Sequence, residues 1–135
     1  MTFGEKLKAA RERANLTQTM LAESSGISLR TIQNWENGVR KPSKLESVAK
    51  VAETLKVSAT DLLDENEEFV IGIGEQYGSR GRKGAEKVLA DVNALFAGGE
   101  MDEEDMDVFM QAVQNAYWEV KKKNKEKYTP KKYKK

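Results

Sequence analysis

The 135-residue chain contains no cysteine and no histidine. Without thiols it can form neither disulfides nor thiolate zinc sites and has no cysteine nucleophile. Without imidazole it also lacks the commonest general base. Long apolar runs are absent as well, since no window approaches the roughly 18 apolar residues that a spanning helix needs. The N-terminus lacks the basic stretch and apolar run of a secretion signal. These absences lead us to expect a soluble cytoplasmic protein with no membrane partner. Hydrophobic residues at 39% are enough for a modest core, expected as one compact unit with an extension.

A formal net charge of +1 hides a strong division along the chain. Residues 1–64 carry 10 basic and 8 acidic side chains, residues 65–120 carry 4 and 13, and residues 121–135 carry 9 and 1. Such asymmetry suggests segments that face different partners, although a run of like charge is most often a solvated surface.

The first half writes out the starts and stops of short helices. Thr2-x-x-Glu5, Ser43-x-x-Glu46 and Ser58-x-x-Asp61 each place a hydroxyl three residues before an acid. In that pattern the hydroxyl caps orphan N–H groups and the acid meets the helix dipole. Thr17 and Ser28 are two further hydroxyl caps, and Gly26 and Gly38 suit the left-handed residue that closes a helix. Helices are predicted near 3–14, 18–24, 29–37, 44–55 and 59–63. Their apolar residues repeat with helical spacing: Phe3, Leu7 and Ala10; Leu21 and Ala22; Ile32 and Trp35; Leu45, Val48, Ala52 and Leu55; Leu62 and Leu63. Helices this short are not stable alone, so they must share one all-α core, with Ile27 and Val57 contributed by the connections.

Gln18, Leu21, Ala22, Gly26, Ile27, Ile32 and Trp35 fall at the spacing of a helix-turn-helix. Ala22 must be small where two helices approach, Gly26 makes the turn, and Ile32 with Trp35 anchors the second helix. With Glu36, Asn37, Gly38 and Pro42, the segment from Phe3 to about Asp64 resembles the Cro/C1-type, phage-repressor-like family. The resemblance implies an all-α fold, a five-helix lambda-repressor-like DNA-binding domain, and a transcriptional regulator, more often a repressor than an activator.

With Ile32 and Trp35 turned inward, the outward face of helix 29–37 carries Leu29, Arg30, Gln33, Asn34 and Asn37. Arg30 can pair with guanine O6 and N7, Gln33 or Asn34 with adenine N6 and N7, and Leu29 can touch a thymine methyl. These four are the expected base contacts. Gln18, Thr31, Asn37, Arg40 and Lys41 have the donors to hold phosphate oxygens, which set register without reading sequence. The resemblance assigns that role to Gln18 and Asn37 in particular. Glu36 is expected to be structural, close to Arg40 and Lys41. Many relatives of this kind carry glutamine where Leu29 stands, so the family's operator preferences do not transfer.

The second half is less explicit. The run Phe69–Gly74, FVIGIG, has strand propensity but no partner strand, and residues 66–82 are expected to be a linker or short helix. Gly72, Gly74 and Gly78 miss the spacing of a dinucleotide fingerprint by one residue and lack a βαβ context. Val88, Leu89, Val92, Leu95 and Phe96 line one helical face that ends at Gly98-Gly99. Met106, Phe109, Met110, Val113, Tyr117 and Val120 line another. They suggest an αα-hairpin over 83–125. Asp102, Glu103, Glu104 and Asp105 are explained by the second helix's dipole, since their spacing does not suit calcium. No metal and no cofactor is expected.

Two amphipathic helices cannot bury both stripes alone. The expectation is a homodimer through Phe96, Phe109, Met110, Val113 and Tyr117, placing two reading helices about one DNA turn apart, roughly 34 Å. The competing expectation is an antitoxin or adaptor whose residues 83–125 hold another protein. Ala97-Gly98 matches the cleavage dipeptide of self-cleaving repressors, but the residues beyond Gly98 carry no pattern of a β-rich domain with a catalytic serine and lysine. An enzyme is disfavoured, because about 70 residues without histidine or cysteine leave little room for a catalytic pocket. The end, KKKNKEKYTPKKYKK, is too basic to build a core and is expected to fray, with residues 126–135 as a basic tail able to grip DNA phosphates.

Overall fold

A computed structural model describes residues 1–99 and 101–128, with side chains to Lys125. Among the described residues there are six α-helices, one 3-10 turn and no strand. The chain divides into two compact units, the first ending at Glu75 and the second beginning at Gln76.

In the first unit, α1 (Phe3–Arg13) begins on a reciprocal cap. Thr2 Oγ1 accepts the Glu5 N–H at 3.2 Å, and the Glu5 carboxylate accepts the Thr2 N–H at 3.2 Å. The hydrogen bonds from Thr2 hold the Glu5 carboxyl below its ordinary range. Helix α2 (Gln18–Ser25) starts with Thr17 Oγ1 accepting the Met20 N–H at 3.1 Å and ends at Gly26, whose φ is 78°. Helix α3 (Leu29–Glu36) starts with Ser28 Oγ accepting the Thr31 N–H at 3.1 Å.

The expected cap at Ser43 does not form. Helix α4 (Leu45–Leu55) begins one residue later, after Lys44, with no side-chain cap. Pro42 is fully buried and Lys44 is extended at φ −135°, so the chain is still held straight where the hydroxyl would have to turn back. The predicted helix 59–63 is a single 3-10 turn, Ala59–Asp61, whose Asp61 carboxylate accepts the Ser58 N–H at 3.0 Å.

Leu7, Leu21, Ile32, Val48, Val51 and Leu62 are fully buried together, and Phe3 meets Trp35 edge-on with ring centroids 5.6 Å apart. Burying each such side chain contributes about 1.5–3 kcal/mol relative to leaving it exposed. The core has one member from the stretch expected to be a linker or short helix: Ile71, with Phe69 and Ile73 also buried.

Residues 66–82, expected to be a linker or short helix, are helical on both sides of Gly78. They lie within α5 (Glu65–Leu95), interrupted at Gly78, where φ 79° and ψ −172° are far from helical values. Only glycine adopts that conformation readily. The helix starts on a reciprocal cap, with the Glu67 N–H donating to Asp64 Oδ1 at 2.7 Å and the Asp64 N–H to Glu67 Oε1 at 3.1 Å. The unit boundary lies ten residues beyond the expected one at 65, because this first stretch of α5 helps to close the core.

In the second unit, α5 beyond Gly78 lies alongside α6 (Glu103–Tyr128). The Tyr117 hydroxyl donates to the Gly81 carbonyl at 3.3 Å, Tyr77 meets Trp118 at 6.0 Å, and Phe96 meets Phe109 edge-on at 5.0 Å. Ala85, Leu89 and Met110 are buried, with Gln114 a buried polar side chain. The helices come close at Gly84, where a Cβ would stand 2.5 Å from the Tyr117 hydroxyl oxygen.

Candidate nucleic-acid interface

Helix α3 is divided cleanly into two faces. Ile32 and Trp35 are buried at 0% and 5% exposure, while Leu29, Arg30 and Gln33 are exposed and Asn34 is half-buried. The four expected base-reading side chains thus share the face turned away from the core. Leu29 keeps 37% exposure on that face.

The helix is fixed at both ends. At its start Ser28 caps it and also donates its hydroxyl to Thr31 Oγ1 at 2.8 Å. At its end the Glu36 carboxylate accepts Arg11 Nε at 2.8 Å and Arg11 Nη2 at 2.9 Å, a two-point pair across 25 residues of sequence. Arg11 Nη1 donates in addition to the Leu16 carbonyl at 2.8 Å, and Gln18 Nε2 donates to Glu36 Oε1 at 3.2 Å. The Glu36 side chain is only 4% exposed and that of Arg11 12%. Hydrogen bonding to Glu36 raises the Arg11 pKa above its ordinary value, so the guanidinium keeps its charge. One carboxylate therefore ties α1, the start of α2 and the end of α3 together.

Glu36 was expected beside Arg40 and Lys41, and the structure corrects that. Arg40 reaches α3 only through its backbone, donating its N–H to the Asn34 carbonyl at 3.2 Å, and its side chain is exposed. Lys41 is likewise exposed. Asn37 closes the helix with its Oδ1 accepting the Val39 N–H at 2.9 Å, which leaves its amide NH₂ as a donor. Gln18, half-buried, retains a second amide N–H beyond the one given to Glu36.

An open groove brings Gln18, Gln33, Asn34 and Asn37 together with Lys8 and the Arg11–Glu36 pair. Of the expected phosphate contacts, Gln18 and Asn37 therefore flank the reading face directly. Thr31 is half-buried at the start of α3, and Arg40 and Lys41 come after its end. The residues that sequence reasoning missed are Lys8 and Arg11, which α1 supplies. Nothing local to α1 marks them, because the Arg11 partners and the other residues of the groove that Lys8 lines lie outside α1.

The expected interface residues of the second unit have mixed placements. Met110 is buried within its own chain, Tyr117 is bonded to Gly81, and Phe96 and Val113 are half-buried. Phe109 packs on Phe96 yet keeps 37% exposure, and Leu95, Val108 and Val120 are more exposed still. The tail beyond residue 128 lies outside the described residues. No described helix is long and apolar enough to cross a membrane. Among the described residues no cluster of three or more carboxylates could hold a metal ion.

A capped helix, a glycine turn and a second helix with its polar face outward define a helix-turn-helix DNA-binding protein. The chain belongs to the Cro/C1-type helix-turn-helix family: the profile described as "Helix-turn-helix" matches residues 7–62. It is 29% identical to the immunity repressor protein of Bacillus phage phi105, over 98% of this chain and 96% of that one. It is 33% identical to the cryptic phage CTXphi transcriptional repressor RstR of Vibrio cholerae, over 53% of this chain and 67% of that one. With the HTH-type transcriptional repressor RghR of Bacillus subtilis it shares 42% identity over 46% of each chain.

Proposed function

We propose that the protein is a dimeric, cytoplasmic transcriptional repressor that reads duplex DNA through the major groove with α3. The observation that carries this reading is the division of α3. Its inward residues are wholly committed to the core, and its ends are held by Ser28 and Glu36, while Leu29, Arg30, Gln33 and Asn34 have no structural task. Arg30 and either amide side chain have the donor and acceptor geometry to discriminate base edges, and Leu29 matches a thymine methyl. Gln18, Thr31, Asn37, Arg40 and Lys41 hold the phosphates beside them. Repression follows from occupancy, so binding alone is sufficient and no reaction is assigned to the chain.

Dimerisation through the hairpin supplies two reading helices for a two-fold site. Phe109 and Val113 are the contact residues, extended by the exposed Val108 and Val120, while Phe96, Met110 and Tyr117 shape that surface from within the hairpin. Selection of bound duplexes from a random library by the full chain tests the reading. The expected product is a sequence with two related half-sites, and recovery of no enriched sequence contradicts it.

A further inference from the structure

The hairpin of the second unit is electrically polarised along its length. Residues 88–107, around the loop, include seven acidic side chains and no basic one. Residues 79–87 and 117–125, which form the opposite end, together include eight basic and two acidic side chains. The contacts Tyr117 to Gly81 and Tyr77 to Trp118 bring these two basic stretches side by side. Two sequence segments that look unrelated thus become one cationic end.

Part of that charge is already used. Arg82 pairs with Glu86 at 3.3 Å, Lys87 pairs with Asp91 at 2.8 Å, Lys121 Nζ lies 5.6 Å above the Tyr117 ring, and Lys125 Nζ lies 5.6 Å above the Tyr77 ring. Among the described residues, no carboxylate lies within ion-pair distance of Arg80, Lys83 or Lys122, and all three are exposed. Gathering more cations than anions this closely raises the energy of the folded hairpin through self-repulsion, and a polyanion relieves it. Apart from Asp91, paired with Lys87, the acids of residues 88–107 fall between residues 100 and 107, at the loop end of the hairpin, where they do not oppose that approach. By chain connection, the cationic end is also the one joined directly to the unit that carries α3.

We infer that this end of the hairpin, formed by Arg80, Arg82 and Lys83 of α5 with Lys121, Lys122 and Lys125 of α6, is a second DNA contact that binds backbone phosphates without reading sequence. It rests on the reading of α3 as the sequence-reading helix and adds a separate contact to it. The hairpin then contributes affinity and salt dependence, whereas α3 contributes preference among sequences.

The test compares the full chain with the quadruple variant Arg80→Gln/Lys83→Gln/Lys121→Gln/Lys122→Gln. The probes are a 30-base-pair duplex of mixed sequence and the duplex enriched by selection, each titrated across a salt series. Each lost phosphate contact lowers the slope of log affinity against log salt by about 0.9, so a fall of about 2 to 4 is expected. The affinity ratio between the two duplexes is expected to stay constant. The charge-preserving variant Arg80→Lys/Lys83→Arg/Lys121→Arg/Lys122→Arg keeps the original slope, which separates charge from any disturbance of the hairpin. An unchanged slope in the quadruple variant overturns the inference, and so does a changed ratio. Loss of binding to phosphatidylserine vesicles with the duplex slope intact also overturns it, in favour of a membrane surface. Arg30→Ala separates the two readings. If it abolishes the ratio while the quadruple variant keeps its slope, only the hairpin contact fails; if the parent chain binds neither duplex at low salt, both fail.

Discussion

Arg11 and Glu36 form a two-point ion pair, 2.8 and 2.9 Å, that is almost wholly withdrawn from water and joins the first helix to the end of the reading helix. A buried pair of this kind adds little net stability, because desolvation offsets the attraction, but removing one partner strands the other. Arg11→Met should therefore destabilise the first unit by about 3–5 kcal/mol. Arg11→Met with Glu36→Leu should recover most of that loss. Chemical denaturation of the three proteins measures this, and a double variant no more stable than Arg11→Met would assign the loss to packing.

Among the described residues the Arg30 side chain has no hydrogen-bond or ion-pair partner, so its removal should act on DNA alone. Arg30→Ala should leave the unfolding midpoint unchanged and weaken the selected duplex by about 1–3 kcal/mol, with discrimination relaxed at one base pair. Binding to single-base variants of that duplex measures it. An equal loss on every sequence would reassign Arg30 to a phosphate.

Two glycines sit at close approaches, and a methyl added at each has a different consequence. A Cβ at Gly4 would overlap the Trp35 carbonyl and stand 2.9 Å from the Glu36 carbonyl, both backbone atoms that cannot step aside. Gly4→Ala should destabilise by about 1–3 kcal/mol and weaken DNA binding too, because the atoms it displaces end α3.

At Gly84 the obstacle is the Tyr117 hydroxyl, the far end of a side chain. Gly84→Ala gains about 1 kcal/mol of helix propensity and loses a hydrogen bond of similar worth, so alone it should be close to neutral. In a Tyr117→Phe background the obstacle and the bond are both gone, and the same substitution should stabilise by about 1 kcal/mol. Thermal unfolding of the four proteins would show additivity instead if Gly84 and Tyr117 were uncoupled.

Burial pushes the Glu67 carboxyl above its ordinary value, with the Asp64 charge adding to the effect and the Asp64 backbone hydrogen bond opposing it. The folded state thus binds this proton more tightly than the unfolded chain does. Its favourable contribution is fully present below the ordinary glutamate value of about 4.3 and is lost as pH rises through the folded one. Glu67→Gln keeps an oxygen for the Asp64 N–H and should raise the unfolding temperature at pH 7. The gain should vanish near pH 4, and one that persisted there would point to a cause other than ionisation.

Local grammar was readable wherever one helix end settles its own hydrogen bonds. Thr2, Thr17 and Ser28 cap as their spacing implies, and Ile32 with Trp35 faces inward as the helical period requires. Ser43 misled because a buried proline just before it governs the path of the chain. The stretch around FVIGIG misled for a different reason: Phe69, Ile71 and Ile73 are all buried, an alternation that imitates a strand although the backbone is helical. The sign that could have corrected it was the Asp64-x-x-Glu67 cap, written in the same form as Thr2-x-x-Glu5. Arg11, Gly4 and Gly84 were illegible in principle, since each answers to a residue on another helix.

The separation of α3 into an anchored side and an idle side has an evolutionary consequence. None of the side chains of Leu29, Arg30, Gln33 and Asn34 is needed to cap, pair or fill the core, so exchanging them leaves folding almost untouched. If those four side chains read DNA as proposed, a lineage carrying this scaffold can move from one operator to another through a few surface replacements, passing through no unstable ancestor on the way.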